Sequence, residues 1–276
     1  MNGKVVLVPG GTGGIGIALC TMLASQGAIV VATGRQRSRV QLLASDLRMV
    51  NPLCTAIEAS LDSFKEWEDL VRGVFARFQR IDVLVNCIGL VAPGALEELD
   101  TTEIDAIIRT NLISPIYAVK SVLPYMRSQG RGHIVNIGSL GGIIPMPFGA
   151  VYGASKSALR SICFAVREEC RLSGVEVSIV SPGSVRTSML TRESRDSRST
   201  IPFVNTPLHT DYVARKICQL LQKPKAELVL PPMIGLPAKS VSHLPGLFST
   251  LYPLLNFLGA VGQRKYRVRE TMAEAT

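Results

Sequence analysis

Short runs of continuous apolar, largely β-branched residues recur along the chain, separated by longer stretches in which apolar positions return every three or four residues. Seven such runs stand out: VVLV at 5–8, AIVVAT at 28–33, LCTAI at 53–57, IDVLVNC at 81–87, HIVNI at 133–137, VEVSIV at 175–180 and ELVL at 227–230. A strand that is apolar on both sides is one covered on both sides, and the intervening stretches are long enough to be crossover helices. The pattern therefore predicts an α/β fold: a doubly wound, parallel seven-stranded sheet with helices on both faces. Helix period is clearest in DSFKEWEDLVRGVFARFQ at 62–79, where Phe64, Trp67, Leu70, Val71, Val74, Phe75 and Phe78 share one stripe. Trp67 is assigned to the core on that spacing.

No internal repeat and no Pro/Gly/Ser linker divides the chain, so residues 1–232 read as one domain and 233–276 as a C-terminal extension. Patterning fades between Ser188 and Thr210, where ESRDSRST precedes Pro202 and Pro207. That composition predicts a mobile surface loop, and its position after the sixth strand suits a lid.

With 276 residues, 47% of them hydrophobic, the chain can bury a real core, which excludes extensive disorder. Thirty Lys and Arg against 21 Asp and Glu leave a formal charge of +9, compatible with anionic ligands, nucleic acid or an acidic membrane. Aromatic residues are only 5% and the basic ones are scattered, which weakens a base-stacking platform, and nucleic acid is set aside as a partner. The six cysteines form no C-x-x-C pair, which argues against a zinc knuckle or a disulfide framework and for a reduced, cytoplasmic setting. MNGKVVLVPGG falls short of a signal peptide, and no run reaches the roughly 18 apolar residues of a membrane span. Residues 244–269 join apolar LPGLFSTLYPLLNFL to Arg264, Lys265, Arg267 and Arg269. Such a segment suits peripheral contact with an anionic membrane, a flap over the substrate site or a subunit contact.

Candidate chemistry lies at the ends of the predicted strands. The first runs into Pro9-Gly10-Gly11-Thr12-Gly13-Gly14-Ile15-Gly16 and then an apolar-periodic helix, a placement that lets backbone and helix N-terminus approach a pyrophosphate. The second ends at Thr33-Gly34-Arg35, followed by Arg37 and Arg39. An acidic side chain there meets a free ribose hydroxyl, whereas a guanidinium suits a 2′-phosphate, so NADP(H) is preferred and NAD(H) remains possible. Tyr152 and Lys156 stand four apart at the start of a helical pattern and share a face, where the ammonium is expected to lower the phenol's pKa. Thirteen residues before Tyr152, Ser139 follows the strand HIVNI, with a hydroxyl placed to hold a carbonyl.

Together, Gly10, Gly14, Gly16, Asn86, Asn111, Ser139, Tyr152, Lys156 and Pro182-Gly183 appear in the order and approximate spacing of a known family. Over about residues 3 to 232 the chain resembles the short-chain dehydrogenase/reductase family, in its short single-domain branch. The resemblance implies a Rossmann-type fold and an NADPH-dependent oxidoreductase that reduces a ketone to a secondary alcohol without a metal. It assigns Tyr152 as general acid or base, Ser139 as the group that polarises the carbonyl, Lys156 to the nicotinamide ribose and Asn111 to a proton-relay water. Cofactor contacts then fall to Gly10, Gly11, Thr12, Gly13, Gly14, Ile15, Gly16, Arg35, Arg37, Ser60, Leu61, Asn86, Gly89, Pro182, Gly183, Val185 and Thr187, as well as Tyr152 and Lys156. A homo-oligomer, dimer or tetramer, is implied as well.

The chain departs from the family pattern in several places. Pro9 replaces a customary Thr, Asn86-Cys87-Ile88-Gly89 replaces Asn-Asn-Ala-Gly, Ser60 and Leu61 stand where an acidic residue is common, and the tail lacks a Val-Asp-Gly-Gly-like ending. Cys87 is expected to be a buried small residue and not a reactive thiol. Ile143, Ile144, Met146 and Phe148 lie between Ser139 and Tyr152 and are expected to wall a pocket for an apolar, long-chain or polycyclic ketone. Two rivals differ in class: a sugar-nucleotide epimerase or dehydratase, and a cofactor-binding sensor without turnover. His133, His209 and His243 are isolated and carry no catalytic expectation.

Overall fold

A computed structural model describes the backbone of residues 1–274 and the side chains of all of these but Ser242, Pro245 and residues 271–274. All seven apolar runs are strands: β1 Val5–Val8, β2 Ile29–Gly34, β3 Thr55–Glu58, β4 Val83–Asn86, β5 Gly132–Ile137, β6 Val175–Pro182 and β7 Glu227–Leu230. They pair in parallel in the order β3-β2-β1-β4-β5-β6-β7. Helices α1 Gly14–Ser25, α2 Arg37–Val50, α3 Phe64–Phe78, α4 Thr101–Ile108, α5 Ser114–Ser128, α6 Ala150–Glu169, α7 Ser188–Glu193 and α8 Thr210–Gln222 connect them. Beyond β7 come α9 Gly235–His243 and α10 Pro245–Glu274.

The alternation of β1 shows why the sheet needs both faces covered. Val6 and Val8 join a core with Leu19 and Leu23 of α1, whereas Val5 and Leu7 join the opposite core with Trp67 and Val71 of α3. Helix α3 starts at a reciprocal cap, with Ser63 Oγ accepting from Glu66 N–H and the Glu66 carboxylate accepting from Ser63 N–H at 2.8 Å. It stops at Gln79, whose φ of 55° is left-handed. Trp67 is fully buried, and its Nε1–H donates to Leu61 O and Ser114 Oγ, each at 3.1 Å. Its bulk and its one polar atom are both satisfied.

From β1 the chain moves to β2 on one side, then returns past β1 to β4 on the other. That reversal opens a crevice beyond the C-terminal ends of β1 and β4, where open α/β sheets bind ligands. Gly10 sits there with φ +73°, so close to the end of β4 that an added Cβ would lie 2.8 Å from the carbonyl carbon of Cys87. Only glycine fits this approach.

The stretch from Ser188 to Thr210 differs from the expected loose surface loop. It contains α7 and a 3₁₀ turn at Ile201–Phe203, and Leu190 and Phe203 are buried with Tyr266 of α10. Polar ties reinforce the contact: Thr200 Oγ1 donates to Asn256 Oδ1 at 2.7 Å, and Gln263 Nε2 donates to the carbonyls of Asp196 and Ser199. Two glycines of α10 allow the helix to approach closely. A Cβ at Gly259 or Gly262 would overlap the carbonyl oxygen of Thr200 or Phe203, respectively. The apolar positions of the segment are too few and too far apart to register as a period, and their cover comes from residues about sixty positions later. Among the described residues, no helix is long and apolar enough to cross a membrane.

Candidate active site

Four strand ends and the first turns of α6 and α7 surround one cavity of about 370 Å³. From the strand side, Cys87, Ile88 and Gly89 follow β4, Ser139 follows β5, and Pro182, Gly183, Val185 and Thr187 lie at or beyond the end of β6. Ile15 enters from the first turn of α1, and Tyr152 and Lys156 enter from α6. The rest of the wall is predominantly apolar and is completed by α9 and α10 through Ala238, Val241, Phe248, Leu251 and Leu255.

Spacing of four along α6 brings Tyr152 and Lys156 to the same wall, with Lys156 Nζ 6.0 Å from the centroid of the Tyr152 ring. Lys156 Nζ donates to Ile137 O at 2.9 Å, which ties α6 to the end of β5. Burial lowers its pKa to about 8, with Cys87 and Cys163 acting in the opposite direction. Tyr152 is buried, and its phenol is held well above the ordinary value by burial and then by the charge of Glu193; a hydrogen bond with Ser139 opposes both. The expectation that Lys156 lowers this pKa is not met: burial raises it instead, and Tyr152 stands as a neutral phenol, the proton-bearing form. Ser139 Oγ accepts from Gly141 N–H at 3.1 Å, so a backbone amide orients the hydroxyl.

Asn111 lies in a π-helical turn, Arg109–Ile113, between α4 and α5. Its Oδ1 accepts from Leu90 N–H at 2.7 Å, while Nδ2 donates to Leu90 O at 2.9 Å and to Ser155 Oγ at 3.1 Å. This fully buried amide clamps the segment after β4 to α6 and thereby positions Gly89 close to Lys156. Asn86 has a comparable structural engagement, with Nδ2 donating to Asn136 Oδ1 at 2.6 Å across β4 and β5, and it does not reach the cavity.

The glycine loop turns between β1 and α1. Gly13 provides no side-chain cap, so the first turn of α1 starts without a side-chain acceptor for its amides. Gly34 leaves space for the Thr12 side chain, which lies against the end of β2 beside exposed Arg35, with Arg37 beginning α2. Ser60 is exposed after β3, but Leu61 is buried in the core, has φ +61° and presents its carbonyl to Trp67. Gly10, Gly11, Gly14 and Gly16 pack against neighbouring backbone and side chains, with Gly14 against Thr187. A Cβ at any of these four would clash with the protein itself, so the glycines keep the turn tight, and the uncapped N-terminus of α1 that follows fits the pyrophosphate of a dinucleotide.

Of the expected apolar wall, Ile144 and Met146 line the cavity. Ile143 instead packs with Val229 and Ala238 behind it. Phe148 also lies outside the lining: its backbone adopts φ +60° and its ring sits under the Arg198 guanidinium at 4.9 Å. Local turn geometry, invisible to a count of apolar residues, directs it away. Cys87 lines the cavity as a thiol, with its pKa pushed up to about 12 by burial. Glu193 escaped the sequence analysis because it begins the polar stretch ESRDSRST. The available signal was its i,i+3 spacing from Leu190, since both residues face the cavity.

The family model for short chain dehydrogenases matches residues 4–198. The chain belongs to this family. Among relatives, an oxidoreductase from Staphylococcus saprophyticus is 35% identical over 192 residues, covering 68% of this chain and 81% of its own. The ketoacyl reductase HetN from Nostoc is 30% identical over 230 residues, covering 83% and 79%, respectively. A solved metagenomic short-chain oxidoreductase in complex with NADP superposes with a TM-score of 0.72 at 30% identity, covering 83% of this chain and 97% of that one. This short-chain dehydrogenase is thus an oxidoreductase of a family that uses NAD or NADP and acts on small molecules.

Proposed function

We propose that the protein is an NADPH-dependent carbonyl reductase, reversibly an alcohol dehydrogenase, acting on an apolar, long-chain or polycyclic ketone. The observation that carries this reading is the meeting of Ser139, Tyr152 and Lys156 in one predominantly apolar cavity. When bound, the reduced cofactor supplies a hydride to the carbonyl carbon. Tyr152 donates its phenolic proton to the carbonyl oxygen, and Ser139 provides a second donor where negative charge develops. Lys156 holds the ribose and restores the proton at Tyr152, with Asn111 supporting the geometry of that route. Arg35, exposed at the end of β2 beside Thr12, meets the 2′-phosphate and gives NADPH its advantage. The ligand of the related NADP complex supports this preference.

The test is NADPH oxidation with ketosteroids, 3-ketoacyl thioesters, long-chain ketones, quinones and sugar ketones, alongside Tyr152→Phe. Turnover by the wild type and its loss in the variant are expected. NADPH binding without turnover of any member would overturn the reductase reading and favour the sensor.

A second component concerns the outer surface of α10. Leu247, Leu254, Phe257 and Leu258 are exposed, and exposed Arg264, Lys265 and Arg269 follow on the same helix. Phe248 and Leu255 of that helix line the cavity, so apolar surface extends from outside to the substrate site. This combination supports docking on an anionic lipid surface from which an apolar ketone enters. Leu254→Glu with Phe257→Glu should abolish co-sedimentation with phosphatidylserine-containing vesicles. Vesicle binding that survives the double substitution, or a helix face occupied by a second copy of the chain in solution, would overturn it.

A further inference from the structure

The cavity has one carboxyl group for which the reaction above has no use. Glu193 ends α7 and lines the cavity together with Tyr152, Met189 and Leu190. Among the described residues, no hydrogen bond or ion pair engages it, and burial alone perturbs it, raising its pKa to about 7. Nearby cations are committed elsewhere. Arg198 pairs with Glu98 and Asp196, Arg267 donates to Ser194 O, and Lys156 donates to Ile137 O. Arg192 and Arg195 of the same segment are exposed to solvent. The position is also unfavourable locally, because a carboxylate at a helix C-terminus faces the negative end of the helix dipole. Neither the fold nor the hydride transfer explains an acidic side chain at this place.

We propose that Glu193 receives a hydrogen-bond donor carried by the substrate in addition to its ketone, making the preferred substrate an apolar amino-ketone or hydroxy-ketone. The inference rests on the reading that this cavity is the ketone site. A half-buried carboxylate that faces a cavity with free acceptor oxygens binds an ammonium more strongly than a hydroxyl, since the bond is charge-assisted and both charges are partly desolvated together. The arrangement also couples recognition to chemistry. The charge of Glu193 raises the pKa of Tyr152, and a bound ammonium offsets that charge, returning Tyr152 toward its ordinary acidity.

Two measurements with the cofactor-loaded full chain test this. In the first, calorimetry compares n-octylammonium, n-octanol and octanoate binding to wild type, Glu193→Gln and Glu193→Leu. Wild type is expected to bind octylammonium at least about tenfold more tightly than octanol, and octanoate most weakly. Glu193→Gln should lose the ammonium preference and keep the alcohol, and Glu193→Leu should lose both. An unchanged order in both variants would overturn the proposal. In the second, kcat/KM is compared for a long-chain ketone and its amino- and hydroxy-substituted counterparts, as ratios within each enzyme so that the active fraction cancels. A wild-type ratio of at least about ten that collapses in Glu193→Leu is expected, and equal ratios in the two enzymes would also overturn it. Ligand preference that follows Glu193, with no ketone turned over, would instead overturn the reductase reading and leave the donor site standing.

Discussion

The two halves of the active-site cleft are built by different means. The cofactor half consists of strand ends and the turns that leave them, and its shape is dictated by backbone: Gly10 against the end of β4, Gly34 beneath Thr12, and the uncapped start of α1. The substrate half consists of side chains from α7, the 3₁₀ turn at Ile201–Phe203, α9 and α10, which depend on one another for cover. A backbone-defined site tolerates side-chain variation around it but not an added Cβ. A side-chain-defined site can change its ligand with a few substitutions, which is how one fold serves many substrates.

If the halves are separable, substitutions should affect one and spare the other. The largest effect is expected from Tyr152→Phe, about 10³-fold on turnover with NADPH affinity changed by only a few-fold, measured by single-turnover kinetics and cofactor fluorescence. A parallel loss of cofactor binding would show that the two halves are not separable at Tyr152.

The scaffold common to both halves carries its own pH sensitivity. His133 of β5 is buried, and its Nε2 is 2.8 Å from Ser178 Oγ, which itself donates to Lys225 O. Ser178 therefore accepts from Nε2–H, leaving buried Nδ1 unprotonated and without a partner. Burial lowers the His133 pKa from 6.5 to about 4. The unfolded chain takes up the proton first on acidification, so this stabilisation is present above about pH 6.5 and lost as pH falls toward 4. The full effect is on the order of 3 kcal/mol. Thermal denaturation across this range should show the loss in wild type and a flatter acid limb in His133→Leu.

Arg35→Asp should weaken NADPH binding by roughly 10- to 100-fold, the value of one or two charge-assisted contacts, and alter NADH binding far less. Equal effects in fluorescence titrations would remove Arg35 from the phosphate site. The smallest effect is expected from Gly262→Val. By pushing α10 off the Phe203 carbonyl it should raise the KM for apolar ketones by about threefold to tenfold while leaving NADPH affinity unchanged. A change in cofactor affinity would show that α10 supports both halves.

Legibility follows the same division. Continuous β-branched runs alternating with helix-period stretches specified all seven strands, since a strand covered on both faces has few other solutions. The four-residue spacing of Tyr152 and Lys156 is a property of any helix and could be read locally. Phe148 could not be placed by composition, because a left-handed backbone at that residue turns its ring toward Arg198. Nor could the acidity of Tyr152, which is set by burial, then by the charge of Glu193, against the hydrogen bond with Ser139.

The sequence by itself determined the parallel doubly wound sheet, the glycine turn after β1 and the face shared by Tyr152 and Lys156, because each follows from local period, backbone sterics or helix geometry. Only the tertiary structure decided that residues 188–210 are an ordered wall, that α10 completes the cavity and that Glu193 opens into it. Those outcomes depend on contacts between segments distant in the chain, and no pattern within either segment encodes which partner will cover it.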